Sequence, residues 1–296
     1  MMRVECSALT MLGELNLLGW GVLRQRGRRA RDNHPDALAG AQLHTINLPT
    51  QTGRAQDSMT IRLADCDGQR NRANMLLNRM YSWRGYGANH ELPSAPNCVT
   101  FTATSQDDVI GTLTLTVDST AGLAADRTFK DEIDSFRNAP GAKLCELTKF
   151  AFDTSSPARP RLAALFHIIF IYGSMHYECT DLFIEVNPRH RRFYEIMLGF
   201  KCVGPPRTNA SVNAPALLMW LNVGAIRRYI DKYAGDDREA GRSFYAHFFS
   251  SQEEEGIYGR LAGLANGPRS IGHMMDPPEL GHAAAYPAHG SKRRVR

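Results

Sequence analysis

An α+β domain built on a mixed β-sheet flanked by helices, with a C-terminal helical appendix, is the fold class this sequence predicts. Three observations carry the prediction. Cys98 to Thr104 and Val109 to Val117 alternate apolar and small polar residues around Gln106-Asp107-Asp108, as the two strands of a hairpin do. Pro160 to His176 is apolar on almost every side, so a helix there packs against a sheet. The stretch FIEVNPRHRRFYEIMLGFK, Phe183 to Lys201, reads as strand, short helix, strand. Hairpins and helical crossovers therefore alternate along the chain, which makes the sheet mixed rather than purely parallel or antiparallel.

The elements follow in order. Thr60 to Leu63 is a short strand, and a helix runs from about Gly68 to Trp83 until Arg84-Gly85-Tyr86-Gly87 breaks it. The hairpin comes next, then a helix near Arg127 to Arg137 and a strand over Lys143 to Asp153. After the apolar helix, Asn187 is an N-cap with Pro188 at the first helical position, where no backbone N–H is missed. Arg191 and Glu195 are spaced for an ion pair, His190 and Tyr194 share another face, and Gly199 stands where a left-handed C-terminal cap is wanted. Phe200 to Val203 and Ala216 to Asn222 are the last strands, giving the order β-α-β-β-α-β-α-β-α-β-β. Four regions result: a poorly ordered extension over 1–57, the main domain over 58–222, helical segments over 223–264, and a disordered basic tail over 265–296. On this reading a chain beginning at Met59 already holds the complete domain.

Composition bounds the function. The net charge of +5 comes from two acid-free runs, Arg24 to Arg31 and Lys292 to Arg296, and without their nine positive residues the rest carries −4. The body is thus not a nucleic-acid reader, and the basic ends read as solvated tails. Six cysteines lack CxxC pairs and metal-like spacing with His, and no HExxH-like pattern occurs, so buried thiols in a reducing cytoplasm and no metal are expected. No stretch is long and apolar enough to span a membrane. Ser7 to Leu23 comes nearest, and reads either as a surface-lying helix in weak membrane contact or as an unordered extension.

Two motifs carry a resemblance. The strand Glu146-Leu147-Thr148-Lys149-Phe150-Ala151-Phe152-Asp153 and the helix EVNPRHRRFYEIMLGF, in that order and separation, resemble the GNAT acyltransferase superfamily. More narrowly they resemble its long-chain N-acyl amino acid synthase branch, which is related to the acyl-homoserine lactone (autoinducer) synthases. The likeness spans about Met59 to Leu221 and implies a GNAT-like acyl-CoA N-acyltransferase fold. It also implies transfer of a fatty acyl group from an acyl carrier protein or acyl-CoA thioester, used as cosubstrate with no permanently bound cofactor, to an amino acid or similar small amine. Two departures stand out. The segment before the apolar helix, Ala158-Arg159-Pro160-Arg161, has none of the glycines that let backbone approach a pyrophosphate, which favours the phosphopantetheine arm of a carrier protein over free coenzyme A. Lys149 stands where the lactone synthases have Arg, and it supplies a point charge instead of a planar fork.

Acyl transfer from a thioester to an amine needs the amine deprotonated, the oxyanion stabilised and the thiolate protonated. Glu146, flanked by Leu144, Leu147 and Phe150, is the candidate base, because burial raises a carboxylate toward working pH. Its other reading is a strand Glu paired with Lys149 or an arginine. Tyr194 stands where many GNAT enzymes hold the tyrosine that protonates the thiol; its other reading is core packing. His190 is a weaker candidate that orients substrate or steadies the helix start. For the phosphopantetheine arm the candidates are Arg159, Arg161, Phe150 and Asn187. Arg79, Tyr81, Trp83, Arg84, Tyr86 and Lys149 are expected around the acceptor and acyl chain, with Met75, Leu76, Leu77 and Met80 either lining an acyl tunnel or packing the core. Two other readings stay open: an acyl-homoserine lactone-type synthase, and a catalytically idle acyl-binding or membrane-adaptor module.

Overall fold

The computed structural model describes residues 40–48, 57–153, 159–236 and 241–266. Ser7 to Leu23 and both basic runs lie outside the described residues. Eight strands form one sheet: β1 (Gln42–Leu48), β2 (Asp57–Leu63), β3 (Cys98–Ser105), β4 (Asp108–Val117), β5 (Leu144–Phe152), β6 (Asp181–Val186), β7 (Lys201–Asn209) and β8 (Ala214–Asn222), in the order β1-β2-β3-β4-β5-β6-β8-β7. All neighbours are antiparallel except β5 and β6. Helices α1 (Asp67–Trp83), α2 (Asp126–Arg137), α3 (Arg159–Ile171), α4 (Arg191–Leu198), α5 (Val223–Tyr233) and α6 (Ser251–Asn266) flank it.

The hairpin turns on Gln106 and Asp107, both at positive φ, as a two-residue connection between right-twisted strands requires. Asn187 accepts a hydrogen bond from the Arg189 amide and caps the 3-10 turn Pro188–His190 that enters α4. Gly199 ends α4 at φ 81°. Every residue of α3 from Arg161 to Ile171 is buried, as its unbroken apolar character demands.

One expectation is corrected. Gln42–Leu48 lies in the stretch read as a poorly ordered extension, yet it pairs with β2 as the edge strand and buries Leu43 at 1% exposure. Met59 is fully buried in the middle of β2, so a chain starting there loses one strand and part of another. The signal in QLHTINL was its content of Leu43, Thr45, Ile46 and Leu48 rather than a clean alternation, and the surrounding Pro and Gly hid it.

The two sheet faces differ in chemistry. One, under α1 and α2, carries a buried row of Thr100, Thr102, Thr112, Thr114 and Thr116, with Phe183, Leu144 and Leu218 packing on α2. The other carries Phe101, Leu113, Leu115, Cys145, Leu147 and Leu182 against α3 to α6 in the main apolar core.

Candidate active site

Strand β5 gives the site its geometry. Its parallel ladder with β6 runs from Leu144↔Asp181 to Leu147↔Ile184 and stops there. On the other side, Thr114 pairs with Thr148 and Thr112 with Ala151, so Lys149 and Phe150 together oppose the single residue Leu113. This is a β-bulge, and Lys149 occupies it at φ 54°, a left-handed conformation that costs a non-glycine residue about 1–2 kcal/mol. The bulge bends β5 while β6 continues along β8, from Glu185↔Leu218 to Val186↔Leu217. A gap opens between the two parallel strands just beyond Leu147.

Glu146 sits at the base of that gap, 1% exposed, on the threonine face. Its Oε2 accepts hydrogen bonds from the Ala124 amide at 2.7 Å and the Ala125 amide at 3.3 Å, at the start of α2. Burial pushes its carboxyl up to about 8, the two amides hold it back, and the carboxylates of Glu185 and Asp126 add to the rise. It pairs with neither Lys149 nor an arginine; the reading as a strand ion pair gives way to a carboxyl held by a helix start. Glu185 was not singled out in the sequence. It faces the same side on β6, half-buried, accepts from Asn209 and is itself raised by burial. The signal for it was parity: Glu185 is two residues from Phe183, and Phe183 is the register partner of Glu146.

Tyr194 and the α1 residues form a second cluster, bridging the β5 and β6 sides of the gap. The Tyr194 hydroxyl is buried near Tyr81 and Arg84, and burial holds its acidity far below that of a free tyrosine. Tyr81 is likewise buried and pushed up to about 12, with edge-on ring contacts to Tyr86 and His90. Arg84 donates to the Met80 carbonyl, and its burial lowers its pKa. Arg189 donates to the Tyr86 hydroxyl at 2.9 Å and to His190 Nε2 at 3.1 Å. Burial and the charges of Arg189 and Arg84 lower His190 to about 4, so the ring is neutral and already used as an acceptor. No hydrogen bond joins Glu146 to Tyr194.

The other expected site residues scatter. Arg79 pairs with Asp153 at 2.9 Å on the surface, and Trp83 is 61% exposed with Arg84 stacked beside it. Met75 is exposed too, whereas Leu76 and Leu77 pack the core beneath α1, so these residues form no tunnel. Lys149 is half-buried and lowered by burial, between the charges of Arg127 and Glu91. Phe150 packs toward α3 against Phe166. Arg159 opens α3 half-exposed, but Arg161 is buried at 3%, so it is not the exposed rim charge that its place in the sequence suggests. Asn187 spends its side chain on the helix cap.

On the α3 face lies a small apolar pocket with a cavity volume of about 30 Å³. Leu147, the last residue of the parallel ladder, lines it together with Cys145, Leu182, Phe166 and Phe170. Among the described residues no group of three His, Cys, Asp or Glu is placed to hold a metal, and no helix is long and apolar enough to cross a membrane. The five cysteines in those residues are free thiols.

The family profile described as N-acyl amino acid synthase FeeM matches residues 72–222, just over half of the chain. The chain belongs to that family. Among solved structures, FeeM, an N-acyl amino acid synthase from uncultured soil microbes, is 26% identical with a TM-score of 0.53 over 57% of this chain and 94% of its own. The acyl-homoserine lactone synthase LasI is 14% identical with a TM-score of 0.42, over 56% and 90% of the two chains. An acetyltransferase of the GNAT family from Streptococcus pneumoniae is 14% identical with a TM-score of 0.38, over 55% and 98%. No curated protein matches the sequence. The N-acyl amino acid synthase family and the mixed eight-stranded sheet make the protein a GNAT-fold acyltransferase.

Proposed function

We propose that the protein moves a fatty acyl group from the phosphopantetheine thioester of an acyl carrier protein to the α-amine of an amino acid. The observation that carries the reading is Glu146: a carboxyl raised to about 8, buried at the base of the gap between β5 and β6. The acceptor approaches from the threonine face as an ammonium ion, and the paired carboxyls of Glu146 and Glu185 attract it. Ionised Glu146 takes one proton, and the amine attacks the thioester carbonyl in the gap. Backbone N–H groups of β5 beyond Leu147, outside the β6 ladder, are the oxyanion donors. As the carbon–sulfur bond breaks, the Tyr194 hydroxyl, which keeps its proton at working pH, donates a hydrogen bond to the sulfur. The nitrogen gives up two protons in all, one to Glu146 before attack and one as the tetrahedral intermediate collapses; one of them makes the free thiol and the other leaves to solvent, so the cycle ends with amide, free thiol, an ionised carboxylate and one released proton.

The carrier-protein donor is supported by the sequence entering α3, Ala158-Arg159-Pro160-Arg161, which lacks the glycines that let backbone approach a pyrophosphate. Arg159 and the exposed Arg192 offer rim charges for an acidic carrier, acting mainly on encounter rate and salt dependence. Purified protein given matched acyl-carrier and acyl-CoA donors with an amino-acid mixture, read by mass spectrometry, tests the reading. An N-acyl amino acid formed much faster from the carrier is expected. Equal rates with both donors remove the carrier-protein half, and no amide from either removes the whole.

A further inference from the structure

Two arginines in the Tyr194 cluster have no acid to answer them. Arg84 caps the C-terminal end of α1, which packs on β4 and β5, and Arg189 stands just past the end of β6 in the turn that enters α4. They come from the elements on either side of the gap, and each lies within the field of the other. Arg84 donates to the Met80 carbonyl at 3.1 Å, and Arg189 to the Tyr86 hydroxyl and the His190 ring. All three acceptors are neutral. Among the described residues neither guanidinium pairs with a carboxylate, whereas Arg137 meets Asp118 and Asp126, Arg207 meets Glu132 and Arg227 meets Glu254. Burial is the largest cause lowering both Arg84 and His190, and the arginine charges lower them further, so the local field is positive and uncompensated. Holding two like charges together in partly buried surroundings is unfavourable until an anion joins them.

We propose that Arg84 and Arg189 bind the carboxylate of the acceptor and thereby select α-amino acids over plain amines. The inference rests on the acyl-transfer reading above and adds to it the second anchoring point of the acceptor. An α-amino acid carries one charge of each sign, and this side of the sheet offers a cluster for each. Glu146 and Glu185 suit the ammonium, and the two arginines suit the carboxylate. A phosphate on the donor's pantetheine arm has the same chemistry as a carboxylate, but the start of α3, where that phosphate is expected, belongs to the opposite face of the sheet.

The arginines are held before any ligand arrives. Gly85 and Gly87, at φ 78° and 87°, reverse the chain after α1, and the Arg84 and Tyr86 amides both donate to the Tyr81 carbonyl. His90 pins the returning loop: its amide donates to Asn78 at 2.7 Å, and its Nε2 bonds the Tyr86 carbonyl at 2.8 Å. The Tyr86 ring lies 5.6 Å from the Arg189 guanidinium carbon, with its hydroxyl accepting from the same group at 2.9 Å. Only one N–H group of Arg84 is spent on Met80, which leaves others for the two-bond fork that arginine makes to a carboxylate. A site ordered in advance loses little freedom on binding.

The test uses the full chain, an acyl-carrier donor, and L-leucine, L-phenylalanine and L-serine, each beside its carboxamide and its decarboxylated amine. In basicity the two analogues lie on either side of the amino acid, so a preference over both belongs to the carboxylate. The parent should prefer each productive amino acid by about 10- to 100-fold in kcat/KM, the worth of a charge-assisted hydrogen bond. Arg84→Met and Arg189→Met, selected as folded by circular dichroism, should lose most of that preference through a higher KM for the amino acid; Arg84→Lys should keep part of it. Donor KM is compared for acyl-pantetheine with and without its phosphate, and that ratio should not move. A ratio that collapses in the Met variants assigns the arginines to the donor phosphate and overturns the acceptor site. Equal use of amino acids and carboxamides by the parent, or an undiminished preference in both folded Met variants, overturns it too. Thermal-shift titration with the same compounds reads binding without turnover. If no donor yields an amide, yet amino acids and not their carboxamides stabilise the parent and neither stabilises the Met variants, the site stands and the acyl-transfer reading is what has failed.

Discussion

The two faces of strand β5 solve opposite problems with alternate residues. Glu146 points to the threonine face, where the surroundings are hydroxyls, helix amides and a second carboxylate. Its neighbours Cys145 and Leu147 point the other way, into a pocket whose wall is almost wholly apolar. A strand that alternates sides every residue can therefore keep a raised carboxyl and a wholly apolar surface within one residue of each other in separate environments.

The largest expected effect falls on the polar side. Glu146→Gln keeps an oxygen for the Ala124 and Ala125 amides but cannot take a proton, so kcat/KM should fall about 10²–10⁴-fold. A variant that turns over like the parent makes Glu146 structural. On the apolar side, His167 accepts the Phe249 amide on Nδ1 and donates from Nε2 to Glu254, to which Arg227 also donates. Glu254→Ala removes that shared partner and should cost about 3 kcal/mol in chemical denaturation, because the His167 N–H is left buried without an acceptor.

The pH dependence of stability sharpens the contrast. With its folded pKa raised to about 8 from 4.5, Glu146 is mostly protonated in the folded state between those values while the unfolded chain ionises, and the ionised fraction that can act as base grows as pH approaches 8. Its contribution is fully present below the unfolded value and is lost as pH rises to about 8. The parent should thus lose stability relative to Glu146→Gln across that window, by on the order of a few kcal/mol, in melts at paired pH values. A constant difference across the window would mean that the carboxyl is ionised throughout. The smallest effect concerns the threonine row: Thr114→Val removes the buried 2.7 Å bond to Thr100 and should cost about 1 kcal/mol by denaturation.

Much of the fold was legible because local rules agreed with the final structure. The Asn187 cap, the Gly199 stop and the Arg191–Glu195 pair are all contacts within four residues, and each stands where spacing placed it. Glu146 was legible as a buried strand carboxylate, since its flanking residues are apolar. Its partners were not: the Ala124 and Ala125 amides are more than twenty residues away, and no local pattern announces a helix start aimed at a strand. The expected acceptor group divided for the same reason. Arg79, Trp83 and Lys149 are near Tyr81 in sequence or in family motif, but helix phase turns the first two outward and a left-handed bulge displaces the third. The apolar pocket was invisible because its walls come from β5, α3 and α5, which only tertiary packing brings together.

Strand β1 has a consequence for how the chain is made. Arg260 of α6 hydrogen-bonds the carbonyl of Leu43, a partner 217 residues earlier, and α6 packs against β1 through the shared core. A ribosome delivers the strand 217 residues before its helical partner. Until the last helix emerges, the first strand waits with its outer partner missing, and contacts of such long sequence separation are the slow ones to form. An open strand edge is also where two copies of a chain pair wrongly. The late helix is thereby a seal on the early strand, and yield of correctly assembled protein will depend on how that edge is guarded while the rest is translated.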